Sequence, residues 1–363
     1  MSLYDLEIAQ WKQLLSAEPS YRADQIWQAI HKHAIRPEHL TSIPKQLRDS
    51  IAKTADLAPA LSLVNLYTDD NELTEKALFK LDDKRVLETV LMHYSDRSTV
   101  CISSQAGCAM GCKFCATGQQ GFYRHLTTGE IVEQVAWAIS RTRTKRGSRR
   151  LSNVVFMGMG EPLANTKNLF KALQRINVDI GIGARHITVS TVGIIPGIQR
   201  FGKLNQQYNL AISLHAANNE KRTSLVPITR TYPLEALLEV LADYRRTTNR
   251  RISFEWAMMD GINDSDQDAR ELIAICVPLQ AHVNLIPLNP TPKWPGSGSP
   301  MARVRSFSRI LEMAGIVTSI RDNRGTKIAA ACGQLAETHV TLGGDEGLFA
   351  AGSAKMDLSG LLD

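Results

Sequence analysis

The sequence has no long hydrophobic run and only six cysteines. No stretch approaches the roughly eighteen apolar residues of a membrane helix, and Asp5 and Glu7 lie where a secretory leader would be positively charged. We therefore expect a soluble cytoplasmic protein. In such a reducing compartment, clustered cysteines indicate metal binding or catalysis rather than disulfides. With 44% hydrophobic residues, the 363-residue chain is not mainly disordered and can form a barrel-sized domain with an accessory domain.

Acidic residues are missing from one basic segment, RTRTKRGSRR at 141–150, in a chain whose net charge is +6. A run of cations without acids suits a polyanion such as nucleic acid, although a solvated loop has the same composition. The segment therefore indicates a class of partner without identifying it.

The local pattern changes along the chain. Residues 1–60 favour a small helical accessory domain, because Ser20 is a candidate N-cap and the apolar residues that follow share one helical face. Residues 61–93 contain three strand-like runs separated by polar turns, which predicts a short β extension. Residues 94–335 form the main domain, and residues 336–363, which lack periodicity, are predicted to be a mobile tail.

Strand-like and helical segments alternate through the main domain. The strand-like runs are TVCIS (99–103), NVVFM (153–157), HITVS (186–190), NLAISL (209–214), ISFEW (252–256), HVNLI (282–286) and IVTSI (316–320). Such alternation predicts right-handed βαβ units on a parallel sheet. We expect an α/β fold with a partial (βα)6 barrel similar to a TIM barrel, and an open doubly wound sheet is the alternative.

Polar residues and glycines collect where four of these runs end. They are Gly160, Glu161, Ser190, Ser213, His215 and Asn289, and the apolar Leu214 lies among them and completes the set of seven strand-end residues. Taken singly, each has an ordinary structural explanation as a turn residue or a satisfied core residue. Because the active site of an α/β barrel lies at the C-terminal ends of its strands, their shared position predicts one ligand cavity.

Four of the six cysteines lie in one short segment, CISSQAGCAMGCKFC at 101–115. Cys108, Cys112 and Cys115 could ligate three irons of a 4Fe–4S cluster and leave the fourth iron open to a small molecule. Zinc with Cys101 as a fourth thiolate is the alternative, but zinc sites usually combine two knuckles from separate parts of a chain. The spacing favours iron–sulfur. Cys276 lies in the apolar run LIAICV and is expected in the core.

The cysteine loop, GCAMGCKFCATG, resembles the cluster loop of radical S-adenosylmethionine (SAM) enzymes, in which SAM chelates the open iron. Within that superfamily, the chain resembles the RlmN family, dual-specificity adenine-C2 methyltransferases of 23S rRNA and tRNA. The matching segments, in the family order, are CISSQAGCAMGCKFCATGQQGF, NVVFMGMGEPL, VSTVGIIP, ISLHA, VNLIPLNP and AAACGQL. The resemblance extends from YRADQ to CGQL and so covers nearly the whole chain.

The resemblance implies cofactors and partners. Cys108, Cys112 and Cys115 would bind one 4Fe–4S cluster, and the seven strand-end residues would contact SAM, of which two molecules are used per turnover. The RNA substrates would be 23S rRNA and tRNA, the latter at the adenine next to the anticodon. An electron donor such as flavodoxin would reduce the cluster. We expect a monomer that has no contact with membranes.

The resemblance also implies catalytic roles. Cys332 would be S-methylated by one SAM, and a second SAM, cleaved reductively, would supply the 5′-deoxyadenosyl radical that takes hydrogen from this methyl group. The methylene radical would add to C2 of adenine. Cys101 would then assist loss of the C2 proton and attack the Cys332 sulfur, leaving a disulfide. Glu88 matches the family's proposed proton acceptor.

Two positions depart from the family pattern, since His125 stands where Asn is usual and Lys327 where an acid is common. Other functions remain open as well. A C8-directed RNA adenine methylase shares both cysteines, so only the resemblance favours C2. A glycyl-radical activase would not need Cys101 and Cys332, and a zinc-stabilised RNA-binding module would leave the strand-end residues unexplained.

Overall fold

The computed structural model describes residues 2–54, 57–145, 147, 149–322 and 324–335. The tail predicted at 336–363 lies outside the described residues. Elements are numbered in chain order. Within the described residues, no helix has both the length and the apolar character needed to cross a membrane.

The N-terminal part is helical, as predicted. Its helices are α1 (Ile8–Leu14), α2 (Tyr21–His33) and α3 (Lys45–Ala52). Helix α2 buries Ile26 and Ile30, which share the face expected from their spacing. Ser20 does occupy the N-cap position, but its backbone is already helical, with φ −53° and ψ −32°, and its side chain makes no capping bond. The predicted N-cap position is therefore confirmed, but the capping bond is missing, because a capping side chain needs extended backbone at that position.

Most strands join one sheet, whose order is β1-β2-β3-β4-β7-β8-β9-β10-β11-β12. Its strands are β1 (Ser62–Thr68), β2 (Thr74–Lys80), β3 (Val86–His93), β4 (Ser98–Cys101), β7 (Leu151–Phe156), β8 (Ile187–Thr191), β9 (Asn209–Ser213), β10 (Ile252–Met258), β11 (His282–Pro287) and β12 (Thr318–Ile320). A separate ribbon pairs β5 (Gln105–Gly107) with β6 (Phe122–His125). Strands β1 to β4 are antiparallel neighbours, and β4 with β7 to β12 run parallel.

The parallel strands alternate with helices, which confirms the predicted α/β architecture. The helices that follow the N-terminal part are α4 (Ala116–Gln120), α5 (Thr128–Thr144), α6 (Thr166–Gln174), α7 (Ile195–Gly202), α8 (Asn219–Leu225), α9 (Leu234–Thr248), α10 (Asp266–Leu279) and α11 (Met301–Met313). In the described residues the edge strands β1 and β12 do not pair, so the barrel stays open. Cys276 is buried on α10, as expected for a core residue.

The basic segment 141–150 is partly engaged within the protein. Arg141 Nε lies 2.7 Å from Glu75 Oε2, and Lys145 Nζ lies 2.8 Å from Glu75 Oε1. Burial would raise the pKa of Glu75, but its bonds to His93, Lys145 and Arg141 lower it to about 2. Arg141 and Lys145 were predicted from composition to face an anionic partner. In the structure they instead help to hold α5 against the antiparallel strands.

A buried amide fixes the chain where β4 ends. Gln134, on α5, accepts a bond from Ser103 N at 2.8 Å and donates one to Ser103 O at 3.0 Å. The Ser103 hydroxyl donates to Glu88 O at 2.7 Å and accepts from Met159 N at 2.9 Å. This junction ties α5, β3 and the turn after β7 to the segment that leads into the cysteine loop.

The first prediction concerns Gln134. Gln134→Ala leaves the buried Ser103 N–H and C=O without partners, so we expect a loss of about 2–4 kcal/mol in the free energy of unfolding. Urea denaturation of the purified variant measures it. Gln174, exposed on α6, is the matched control, and Gln174→Ala should change stability by less than about 0.5 kcal/mol. Equal effects of the two substitutions would contradict the junction's importance.

Candidate active site

One cavity opens at the C-terminal ends of the parallel strands. Six of the seven strand-end residues singled out from the sequence line it, together with the three loop cysteines and Cys332. They are Gly160, Glu161, Ser190, Ser213, His215 and Asn289. The hydroxyls of Ser190 and Ser213, on neighbouring strands β8 and β9, lie 3.4 Å apart. The fold thus brings side chains from four strand ends to one place.

Leu214 is the strand-end residue that does not line this cavity. It is fully buried; its N–H donates to Glu255 O at 3.1 Å and its carbonyl accepts from Arg222 Nε at 3.2 Å. The chain then turns at His215, which has a left-handed φ of 59°. The predicted contact of Leu214 with SAM stays a prediction.

His215 is held as a neutral imidazole. Its Nδ1 accepts a bond from Ala257 N at 3.0 Å, which places the proton on Nε2. Burial, with a smaller contribution from the Arg222 charge, lowers its pKa to about 3. At neutral pH the ring therefore presents a polar group to the cavity without a charge.

The turn after β7 fixes a carboxylate in the cavity. Gly160 has φ 97°, and a Cβ at this position would lie 2.5 Å from the Cβ of Gln105. Glu161 Oε2 accepts from Val192 N at 2.9 Å, and its Oε1 accepts from Leu163 N at 3.0 Å. Burial raises the pKa of Glu161 to about 7. An oriented carboxylate of this kind is suited to bind a ligand ammonium group.

The three loop cysteines have a chemistry that fits iron–sulfur ligation. Cys108, Cys112 and Cys115 line the same cavity. Burial raises the pKa of all three thiols, and in Cys108 and Cys112 neighbouring loop thiolates raise it further. These sulfurs would be thiolates only with a cation bound to them, as in a metal cluster.

The arrangement of these thiols also bears on which metal group fits. In the part of the chain that the structure describes, no three Cys, His, Asp or Glu side chains converge on a single metal-ion position. A 4Fe–4S cluster does not need such convergence, because each iron takes its own thiolate. Cys101, the fourth ligand of the zinc alternative, lines a different cavity. The residues present fit a cluster better than a single zinc ion.

A second, smaller cavity contains the two remaining candidate cysteines. Cys101, from the end of β4, and Cys332 line it, and both are free thiols. Burial and the charge of Cys332 raise the pKa of Cys101 to about 12, while the Arg321 guanidinium acts in the opposite direction. Cys332 and Arg321 line both cavities. Cys332 can therefore meet ligands from either side.

Glu88 lines neither of these two cavities. Its carboxylate is buried, and its Oε1 lies 2.9 Å from Lys76 Nζ. Lys76 also donates to the carbonyl of Ala329 at 3.3 Å, three residues before Cys332. On β3, Glu88 shares a strand face with Val90, the register partner of Cys101. Glu88 is thus near the second cavity and linked to its cysteine loop through Lys76.

The sequence analysis missed two charged residues of the first cavity. Glu255, on β10, accepts a bond from Asn284 Nδ2 at 2.8 Å, and burial raises its pKa. Arg321 directly follows β12. The strand-end pattern that identified the other residues would have found Arg321, whereas Glu255 lies within a strand and gave no such signal.

The two departures from the family pattern are accommodated locally. His125 Nδ1 accepts a bond from Gln105 Nε2 at 3.0 Å, across the β5–β6 ribbon. Lys327 forms an exposed ion pair with Asp70. Neither change enters the cavities described above.

Comparison with known proteins decides the family. The sequence pattern of the radical SAM superfamily matches residues 102–273. A probable dual-specificity RNA methyltransferase RlmN from Roseiflexus sp. (strain RS-1) is 42% identical, over 92% of this chain and 96% of that protein. The corresponding protein of Dictyoglomus thermophilum is 44% identical, over 88% and 91%. The chain belongs to the RlmN family of the radical SAM superfamily.

A solved structure agrees with this assignment. The crystal structure of a radical SAM methyltransferase from Sphaerobacter thermophilus is 44% identical, with a TM-score of 0.88, and covers 92% of this chain and 99% of that one. Membership of the superfamily implies a 4Fe–4S cluster and SAM. Cys332 and Asn289 lie beyond the superfamily match at 102–273, but the RlmN relatives cover most of the chain.

The second prediction tests the turn at Gly160. Gly160→Ala forces an unfavourable φ and a clash with Gln105, so we expect a loss of about 2–4 kcal/mol of stability and SAM binding weaker by about tenfold or more as Glu161 shifts. Urea denaturation and calorimetric titration with SAM measure the two effects.

Gly261 provides the control, because its φ is also left-handed, at 65°, but nothing lies within 4 Å of an added Cβ. Gly261→Ala should cost only about 1–2 kcal/mol and leave SAM affinity unchanged. If Gly160→Ala behaved in the same way, the close approach to Gln105 would not position Glu161.

Proposed function

We propose that this chain is a SAM-dependent RNA methyltransferase that methylates C2 of adenine in 23S rRNA and in tRNA, at the adenine next to the anticodon. The observation that carries the proposal is the shared cavity of Cys101 and Cys332, placed beside the cavity of the cysteine loop. Membership of the RlmN family supports a catalytic role for Cys101 and Cys332. The methylation is proposed to take place in the cytoplasm, with the protein acting as a monomer.

The reaction explains why a radical enzyme is required. C2 of adenine is an electron-poor ring carbon and does not attack the methyl group of SAM as a nucleophile would. A carbon-centred radical can add to it. When bound, the cluster supplies the electron that cleaves SAM to a 5′-deoxyadenosyl radical, with a donor such as flavodoxin as the electron source.

The residues that hold these groups are assigned from the cavity. Cys108, Cys112 and Cys115 are proposed as the three cluster ligands, and two SAM molecules are used per turnover. Glu161, with its carboxylate fixed by two backbone N–H groups, is suited to the SAM ammonium group. The other predicted SAM contacts that line the cavity are Gly160, Ser190, Ser213, His215 and Asn289.

Cys332 is proposed to carry the methyl group. Since it lines both cavities, its sulfur can accept a methyl group on the SAM side and present it to RNA on the other. Removal of one hydrogen from the S-methyl group gives a methylene radical, which adds to C2 and joins protein and RNA through a thioether. Asn289 Nδ2 donates to the Cys332 carbonyl at 3.2 Å, which helps to hold the sulfur between the cavities.

Cys101 is proposed to resolve this adduct. After the addition, the adduct radical would return one electron to the oxidised cluster and lose the C2 proton. The Cys101 thiolate then attacks the Cys332 sulfur, so the carbon–sulfur bond breaks as the disulfide forms, and the released carbon takes up a proton to become the methyl group of the RNA. Arg321 favours the thiolate form of Cys101 against the effect of burial. Glu88 is proposed as the acceptor of the C2 proton, supported by its position on the same face of β3 as Val90, the register partner of Cys101.

The third prediction separates the two cysteines. Cys332→Ala has no sulfur to methylate, so it should yield neither methylated protein nor methylated RNA. Cys101→Ala can still form the adduct but cannot resolve it, so protein joined covalently to RNA should accumulate. A denaturing gel would show this as a slow-migrating band that nuclease treatment removes.

The double variant Cys101→Ala/Cys332→Ala is the control, and it should give no such band because the linking sulfur is gone. Cys276→Ala, in the core and away from both cavities, should leave the band pattern as in the unchanged protein. Normal turnover by Cys101→Ala, or a cross-link formed by Cys332→Ala, would contradict the paired-cysteine mechanism.

A further inference from the structure

A basic surface covers the outer side of the cysteine loop. Lys113 lies between Cys112 and Cys115 in the chain and is exposed, whereas the cysteines line the cavity. Its N–H donates to Leu225 O at 3.2 Å, which places Leu225, five residues before Arg230, beside the loop. Gln119 donates to Lys113 O at 2.7 Å and accepts from Lys293 N at 3.2 Å. We call the exposed residues Lys113, Arg230 and Lys293 the basic face.

The charge of the basic face is not balanced locally. The three segments that form it, 108–121, 221–233 and 289–300, contain no Asp or Glu. Among the residues that the structure describes, none of its three cations forms an ion pair. Lys221, in the same region, is by contrast paired with Asp268. A positive patch of this kind attracts an anionic partner.

We propose that the basic face is the docking site of a small one-electron carrier protein whose redox group is surrounded by acidic residues. This inference rests on the proposed function, which places a cluster under this loop and requires an electron for each SAM cleavage. Lys113 is exposed and lies in the chain between Cys112 and Cys115, two of the proposed ligands, so a carrier bound at Lys113 would approach the cluster from the solvent side of the loop. Complexes of electron carriers are small and transient and are steered by charge.

RNA is a less suitable occupant of this face. The cavity that holds Cys101 and Cys332 has its own cations, Arg321 and Arg324. Tyr94 lines the same cavity, and its ring is covered by Arg324 at 4.2 Å and by Arg97 at 4.5 Å. Cations and an aromatic ring beside the catalytic cysteines provide the groups that contact phosphates and bases. The basic face is therefore available to another partner.

The test uses Arg230→Glu/Lys293→Glu, which leaves the cysteine loop unchanged. The control is Arg305→Glu/Arg309→Glu, which replaces two exposed cations on α11 with an equal change in net charge. Neither arginine forms an ion pair with a residue that the structure describes. Calorimetry measures the affinity of reduced flavodoxin, an acidic flavin carrier, for each holoenzyme at low and high salt. We expect binding to weaken about tenfold at low salt in the first variant only, with a smaller dependence on salt.

A second readout separates docking from the radical chemistry. Dithionite, a small reductant, needs no docking surface, so the variant should form 5′-deoxyadenosine at the unchanged rate with dithionite and slowly with flavodoxin. Unchanged flavodoxin affinity, an equal loss in the control pair, or weakened RNA binding with flavodoxin binding intact would each overturn the proposal. If the unchanged protein made no 5′-deoxyadenosine even with dithionite, the proposed function would fail, independently of any flavodoxin affinity.

Discussion

The site depends on how the chain is held between β4 and the cysteine loop, at residues Ser103 to Gln105. Gln134 binds both backbone groups of Ser103, and the Ser103 hydroxyl bridges β3 and the turn after β7. Gln105 accepts the N–H of Glu161 at 2.8 Å and packs where Gly160 has no side chain. Ser103 and Gln105 therefore set the position of the Glu161 carboxylate relative to the cysteine loop. Since the bonds are buried and satisfied, the arrangement has little freedom to relax.

Two cavities lie near this junction, and they have lining residues in common. One is formed by the strand ends and the cysteine loop, and the other contains Cys101 beside β3. Cys332 and Arg321 belong to both. Under the proposed function, this division would keep radical generation apart from the RNA base, with the Cys332 sulfur acting in both cavities.

Local sequence signals predicted the architecture and most of the polar side chains that line the first cavity. The alternation of apolar runs predicted the parallel strands, and the residues at their ends were brought together because such ends meet at one edge of a barrel. Pairings between distant residues were not predictable in this way. Gln134 meets Ser103 across 31 positions, and Glu75 meets Arg141 across 66. Neither pair leaves a periodic signal in the sequence. The missing capping bond of the Ser20 side chain likewise reflects a backbone angle that residue type does not determine.

The central claim is that this chain places a methyl group on C2 of adenine. The most direct measurement is mass spectrometry of nucleosides from 23S rRNA and tRNA treated with the reconstituted protein, SAM and a reductant. The RNA should come from cells that lack this modification, so that new methyl groups are visible. The account predicts 2-methyladenosine in both RNAs, formed only when SAM and reductant are present. Formation of 8-methyladenosine, or no methylated adenosine from protein that cleaves SAM, would contradict it.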